Sequence, residues 1–158
     1  MDDASPKTKP TSIDPLEIGR RGEELAAAYL QQAGFRIVAS NFNVPVGRNR
    51  NDAVINAEID LIAYEGTTLC FVEVKARASG WFAAPSANVD LRKQRQIMRA
   101  ARAYRRMFGI TGVPYRYDVL SIVLPGESEL NRPEIELLRG FWTEKKFRKR
   151  RWPERYWD

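Results

Sequence analysis

Apolar positions recur along this chain with two different periods, and the changes from one to the other divide it into elements. Between Pro15 and Ala33 the small and apolar residues Ile18, Gly22, Leu25, Ala26, Tyr29 and Ala33 gather on one side of a helical wheel. Asp14-Pro15-Leu16-Glu17 supplies an N-cap, a proline at the first helical position and an early carboxylate, and Gly34 supplies the stop. Of the two consecutive acids in this helix, Glu24 points away from the apolar side, whereas Glu23 lies at its border and can look into a cleft. A second helix is predicted from Asp90 to Phe108, ended by Gly109, with an apolar side of Ile97, Ala101, Tyr104 and Phe108.

The period of two marks the strands. Phe35 to Ala39 reads as a first strand, and the polar stretch from Asn41 to Asn56, with its Val-Pro-Val-Gly-Arg-Asn-Arg-Asn run, as a long surface loop. Glu58 to Tyr64 and Leu69 to Arg77 read as an antiparallel pair joined by a tight turn at Gly66-Thr67. Tyr115 to Leu124 is a further strand, Pro125-Gly126 a turn, and Ile135 to Leu138 a short edge strand. Residues 1–13 have no periodicity and read as a loose tail, residues 14–140 as one domain, and residues 141–158 as a basic, aromatic tail.

The tight turn fixes a register. With Glu65 facing Thr68, Asp60 faces Glu73 and Glu58 faces Lys75. One face of the pair then carries Glu58, Asp60, Glu73 and Lys75 beside Ile62, Tyr64, Phe71 and Leu69, and the other carries Ile59, Leu61, Ala63, Val74, Val72 and Cys70. Apolar residues on both faces predict a sheet covered on both sides, with the polar residues in a partly enclosed notch. Two opposed carboxylates are destabilising without a cation. Magnesium or manganese, which takes hard oxygen ligands and keeps several waters, is the natural one. Lys75 shares the face of Glu73 and is placed to orient a water or to stabilise charge on a phosphate. The bland alternative is a solvated strand end in which Lys75 simply pairs with Glu58 and Glu73.

Composition narrows the chemistry. The chain has no histidine, which removes histidine-based triads, general bases and metal ligands together. Its one cysteine, Cys70, lies in an apolar run and reads as an inert core thiol, consistent with a reducing cytoplasm. No stretch has the length and apolarity of a signal sequence or membrane span, so a cytoplasmic protein without membrane contact is expected. The net charge of +6 favours polyanionic partners.

Glu58-Ile59-Asp60-Leu61-Ile62-Ala63 followed by Phe71-Val72-Glu73-Val74-Lys75-Ala76-Arg77 closely resembles the YraN-like family of small bacterial proteins, an uncharacterised group related to restriction endonucleases and archaeal Holliday-junction resolvases. Gly19-Arg20-Arg21-Gly22-Glu23-Glu24-Leu25 resembles the family's opening helix, Lys93-Gln94 its second-helix motif, and Arg116-Tyr117-Asp118-Val119 a later strand. The resemblance implies an α/β fold, a restriction-endonuclease-like mixed sheet flanked by helices in a single domain, with the PD-(D/E)xK pattern of Asp, then Glu-x-Lys. It implies that Asp60, Glu73 and the Val74 carbonyl hold a magnesium or manganese ion, that Lys75 is the catalytic lysine, that Glu23 is a supporting acid, and that Gln94 lies near the site. Arg20, Arg21, Arg77 and Lys93 are then candidates for contact with nucleic acid. The implied activity is metal-dependent hydrolysis of DNA, branched or otherwise structured, by a homodimer as in related junction-cutting enzymes. Ala57 in place of a usual Gly, Tyr117 in place of Phe, and the length of 44–56 depart from the family pattern.

Other features keep rival readings open. Arg92, Arg95, Arg99, Arg102 and Arg106 form a basic stripe opposite the apolar side of the second helix, which is either a solvated face or a phosphate contact. Trp142, Phe147, Trp152 and Trp157 either stack on bases or dock onto the domain. Asp118 with Arg116 on the same strand face reads as a structural ion pair. The rivals to a nuclease are a nucleic-acid-binding protein that keeps the fold without turnover, and a protein-interaction module whose aromatic tail makes the contact.

Overall fold

The computed structural model describes residues 14–79, 88–126 and 132–147, and in it one mixed sheet of five strands is flanked by two helices. Helix α1 (Pro15–Gln32) leads into β1 (Arg36–Arg48), β2 (Val54–Glu65) and β3 (Thr68–Ala78). Helix α2 (Leu91–Met107) then carries the chain to β4 (Tyr115–Leu124) and β5 (Glu134–Trp142). The strands lie in chain order, every neighbour antiparallel except β3 and β4, whose connection through α2 makes them parallel. The Asp14 side chain caps α1 by accepting from the Leu16 N–H at 3.1 Å, and Asp90 caps α2 by accepting from the Lys93 N–H at 2.8 Å.

Each face of the sheet is sealed by one helix, as apolar residues on both faces require. On one side Ile62, Leu69, Phe71, Tyr117 and Val119 pack with Ile97, Ala101 and Tyr104 of α2. On the other, Leu61, Ala63, Val72, Leu120 and Ile122 pack with Ala26 and Leu30 of α1. Cys70 is fully buried in this second cluster, and burial pushes its thiol up to about 11, so it is the inert core residue expected. Asp118 and Arg116 form the expected structural pair at 2.8 Å, which Glu65 and Arg139 extend into a network.

The stretch 41–56 is not a surface loop. It is the outer half of the β1–β2 hairpin, whose turn is tied by Asn49, its Oδ1 accepting the N–H groups of Asn51 and Ala53. Phe42, Val44 and Val46 alternate at period two and pack against the core under α2, a pattern obscured by the intervening Asn, Pro and Gly. Pro45 is accommodated because β1 is an edge strand. A second correction concerns Ile59, expected on the face opposite Ile62 but packed in the same cluster. Asn41 has a left-handed backbone (φ 50°) where β1 passes Asp60, and across that point both strands change the face they present. The edge strand is also longer than the expected Ile135 to Leu138, and of the two readings of the tail aromatics docking holds for those described. Strand β5 runs on through Phe141 and Trp142, and Trp142 is buried, stacked on Tyr117 with ring centroids 5.0 Å apart. Phe147 packs on the same cluster, so these two rings dock, while Trp152 and Trp157 and the N-terminal residues 1–13 lie outside the described residues.

Helix α1 approaches β3 so closely that a Cβ on Gly22 would overlap the Ala76 Cβ, which is fixed to the backbone of β3 and cannot swing away. Gly22→Ala is therefore expected to lower the stability of the chain by about 1–3 kcal/mol, the usual cost of overpacking. Urea denaturation of the variant checks this, and a midpoint equal to wild type would contradict the close packing.

Candidate functional site

The hairpin forms in the expected register, from Glu65 opposite Thr68 to Leu61 opposite Val72, and there the two strands part. Asp60 and Glu73 are not ladder partners, nor are Glu58 and Lys75. Instead β2 stays with β1, Glu58 opposite Asn43, and β3 stays with β4, Glu73 opposite Val119 and Lys75 opposite Ser121. The fork opens at the same level as the face change at Asn41 and Asp60. Asp60 fills it, its Oδ2 accepting the Val74 N–H at 2.7 Å in place of the lost ladder acceptor. An extended residue turns its N–H and C=O toward the same edge, so the Val74 carbonyl also faces the fork.

Glu73, 5% exposed, carries the electrostatic tension of this arrangement. Lys75 Nζ lies 3.7 Å and Lys93 Nζ 3.9 Å from its Oε1, too far for strong hydrogen bonds, and its Oε2 is buried without a partner among the described residues. Desolvation first, and the Asp60 carboxylate second, push its pKa up to about 7 against the opposing pull of Lys93 and Lys75. A hydrogen bond between Asp60 and Glu73 exists only when one of them carries a proton; with both ionised, Oε2 is stranded. Glu23 belongs to the same group. It is half-buried on α1, and its pKa is raised by burial, then by Asp60 and Glu58, with the Asn41 side chain opposing.

The structure thus brings together Asp60, Glu73, Val74, Lys75, Glu23 and Lys93. Sequence reasoning assigned Lys93 to nucleic acid and did not place its ammonium at Glu73; the Asp90 cap, which fixes where α2 begins, was the available signal. It also missed Asn41, whose residue type is one of the few tolerated in a left-handed backbone. Gln94 is buried at the start of α2, its Nε2 donating to the Val89 carbonyl at 2.7 Å and its Oε1 unpartnered among the described residues. Arg20 is not brought to the carboxylates: it is exposed and pairs with Glu17 and Glu24 at 2.6 Å each. Arg21 is exposed on the same helix, and Arg77 is half-buried on β3 two residues beyond Lys75.

Among the described residues no three carboxylate or thiol groups converge on one point. The donor set at the fork is two carboxylates and a main-chain carbonyl, which suits magnesium, an ion that keeps several of its waters and takes only one or two protein carboxylates. The stranded Glu73 Oε2 is the acceptor such an ion would satisfy.

The family model for "Uncharacterised protein family UPF0102" matches residues 22–122, a span that holds every residue of the fork together with Lys93 and Gln94. The chain is 42% identical over 131 residues to a UPF0102 protein of Chlorobium chlorochromatii, covering 81% of this chain and 93% of the relative. It is 41% identical over 134 residues to one of Chlorobium limicola, covering 83% and 96%, and 36% identical over 132 residues to one of Koribacter versatilis, covering 84% and 83%.

The raised pKa of Glu73 has a sign in stability. Native Glu73 holds its proton to about pH 7, whereas the unfolded group releases it near 4.5, so this contribution is full below pH 4.5 and is lost as pH rises through about 7. In metal-free buffer Glu73→Gln is expected to remove on the order of 3 kcal/mol of the stability difference between acid and pH 8. Urea midpoints across that range measure it; a variant profile that overlays wild type would contradict the burial of an ionisable carboxylate.

Proposed function

The chain belongs to the uncharacterised protein family UPF0102, a description that assigns no chemistry, and from the site itself we propose that it is a magnesium- or manganese-dependent nuclease that hydrolyses DNA phosphodiester bonds. The observation that carries this reading is the forked strand pair, which holds Asp60 and Glu73 together with one buried oxygen unsatisfied among the described residues, and with lysines beside them. The resemblance of Asp60 and Glu73-x-Lys75 to the PD-(D/E)xK pattern supports it, and the mixed sheet between helices is the architecture that pattern implies.

Asp60, Glu73 and the Val74 carbonyl would hold the ion. When bound, the ion supplies neutralisation of phosphate charge and water acidified enough to attack. Lys75, on a side chain 41% exposed, brings a positive charge to the mouth of the fork, where a phosphate oxygen gaining charge can be stabilised. Lys93 does so from the opposite element, α2, with 35% of its side chain exposed. Glu23, its pKa raised, is placed to hold or accept a proton beside Asp60. Gln94 acts at one remove: its bond to the Val89 carbonyl fixes the start of α2 and with it Lys93. Branched or otherwise structured DNA, cut by a homodimer in the cytoplasm, is the substrate setting the resemblance implies. No helix among the described residues is long and apolar enough to cross a membrane.

One observation favours a second reading, a DNA-binding protein without turnover: Lys75 and Lys93 already stand as counter-charges to Glu73. A panel of duplex and four-way-junction DNA incubated with Mg²⁺ or Mn²⁺ separates the two. Wild type is expected to cleave, Lys75→Ala to lose about 10²–10³-fold in rate, and Asp60→Ala to lose at least as much. Undiminished cleavage by Asp60→Ala would refute the assigned site, and binding without cleavage by wild type would establish the second reading.

A further inference from the structure

At the end of α2 remote from the fork, Arg102, Arg105, Arg106, Gly109, Ile110 and Thr111 line an open depression of about 340 Å³. Three guanidinium groups on one small concavity repel one another. Arg20, Arg116 and Arg139 each lie against a carboxylate, whereas Arg102, Arg105 and Arg106 have no acidic partner within ion-pair distance among the described residues. Nor are they needed to finish the helix. The terminal carbonyls of Tyr104, Arg105 and Arg106 already accept the N–H groups of Phe108, Ile110 and Gly109. Arg105 is also held in place, its guanidinium over the Tyr115 ring at 3.9 Å from the centroid, with a buried Nε that has no hydrogen-bond partner among the described residues.

We infer that this depression is a second anchoring site for nucleic acid, taking a backbone phosphodiester of duplex DNA. A phosphodiester offers two anionic oxygens in one plane, the arrangement a guanidinium fork matches, and its negative charge removes the repulsion among the three arginines. Helical rise places Arg102 and Arg106 about 13–20 Å along α2 from Lys93. With one phosphate per strand for every 3.4 Å or so of duplex axis, that is about four to six phosphates from the bond at the fork. Arg95 and Arg99, both exposed, lie between the two ends, so the stripe along α2 becomes a track from fork to anchor. Only the identity of the ligand rests on the nuclease reading; the anchor requires no turnover.

The test is equilibrium binding of a 20-base-pair duplex to the full chain without divalent ions, followed by fluorescence anisotropy over a salt series. Arg102→Gln with Arg106→Gln alters two exposed side chains, so the fold is expected to persist, as circular dichroism will show. This double variant is expected to bind about tenfold or more weakly and to lose about 2 from the slope of log K against log salt. Arg105→Lys keeps the charge but not the fork, and is expected to bind more weakly with little change in slope. Unchanged binding by the double variant overturns the inference, as does a wild-type chain that does not bind the duplex. Loss in the double variant with wild-type binding by Arg105→Lys also overturns it, because general charge would then explain the effect. Because no metal is present, failure of the nuclease reading shows separately, as wild-type binding without cleavage when Mg²⁺ is added.

Discussion

A carboxylate withdrawn from water beside a second carboxylate is costly unless a positive charge or a proton relieves it, and the placement of Glu73 against Asp60 imposes that cost at the centre of this fold. Continuing the β2–β3 ladder beyond Leu61 and Val72 would set the two carboxylates directly opposite each other; instead the strands separate there and Asp60 caps the Val74 amide. The opening is prepared from outside the pair. Asn41, left-handed on β1, sits where β1 and β2 together change the face they present, while β3 is held to its place by the parallel ladder with β4. The fork results from two firm pairings that diverge.

Around the fork each element has a legible task. Gly22 lets α1 sit against Ala76, which brings Glu23 to one side of the opening. Asp90 fixes the start of α2, and Gln94 tethers that start to Val89, which brings Lys93 to the other side. The core clusters on the two faces make these placements rigid, since close-packed interiors do not deform gradually. The functional groups therefore ride on helices and strands, and their mutual distances are set by packing.

Much of this was legible in the sequence because it follows from local rules. The cap at Asp14, the glycine stops, the two-residue turn at Gly66-Thr67 and the register it imposes as far as Leu61 all depend on residues within a few positions of one another. The Tyr115–Leu124 strand was legible for the same reason. What escaped was non-local. The outer half of the β1–β2 hairpin carries turn-forming residues, and only its packing beneath α2 makes Phe42, Val44 and Val46 a strand face. The face change at Asp60 coincides with a left-handed residue on a different strand, and period-two counting along β2 alone assigns Ile59 to the wrong side. The approach of Lys93 to Glu73 needs the whole crossover from β3 through α2, which no spacing in the sequence contains.

The proposed hydrolysis requires the fork to hold a divalent ion, and direct ion binding tests this without reference to any substrate. Mn²⁺ titrated into the metal-free chain at pH 7.5, with the free ion followed by electron paramagnetic resonance, gives the answer. Saturable binding is expected that is lost in Asp60→Ala and kept in Glu24→Ala, whose side chain points to solvent on the outer side of α1. Absence of saturable binding, or binding that survives unchanged in Asp60→Ala, would contradict the account.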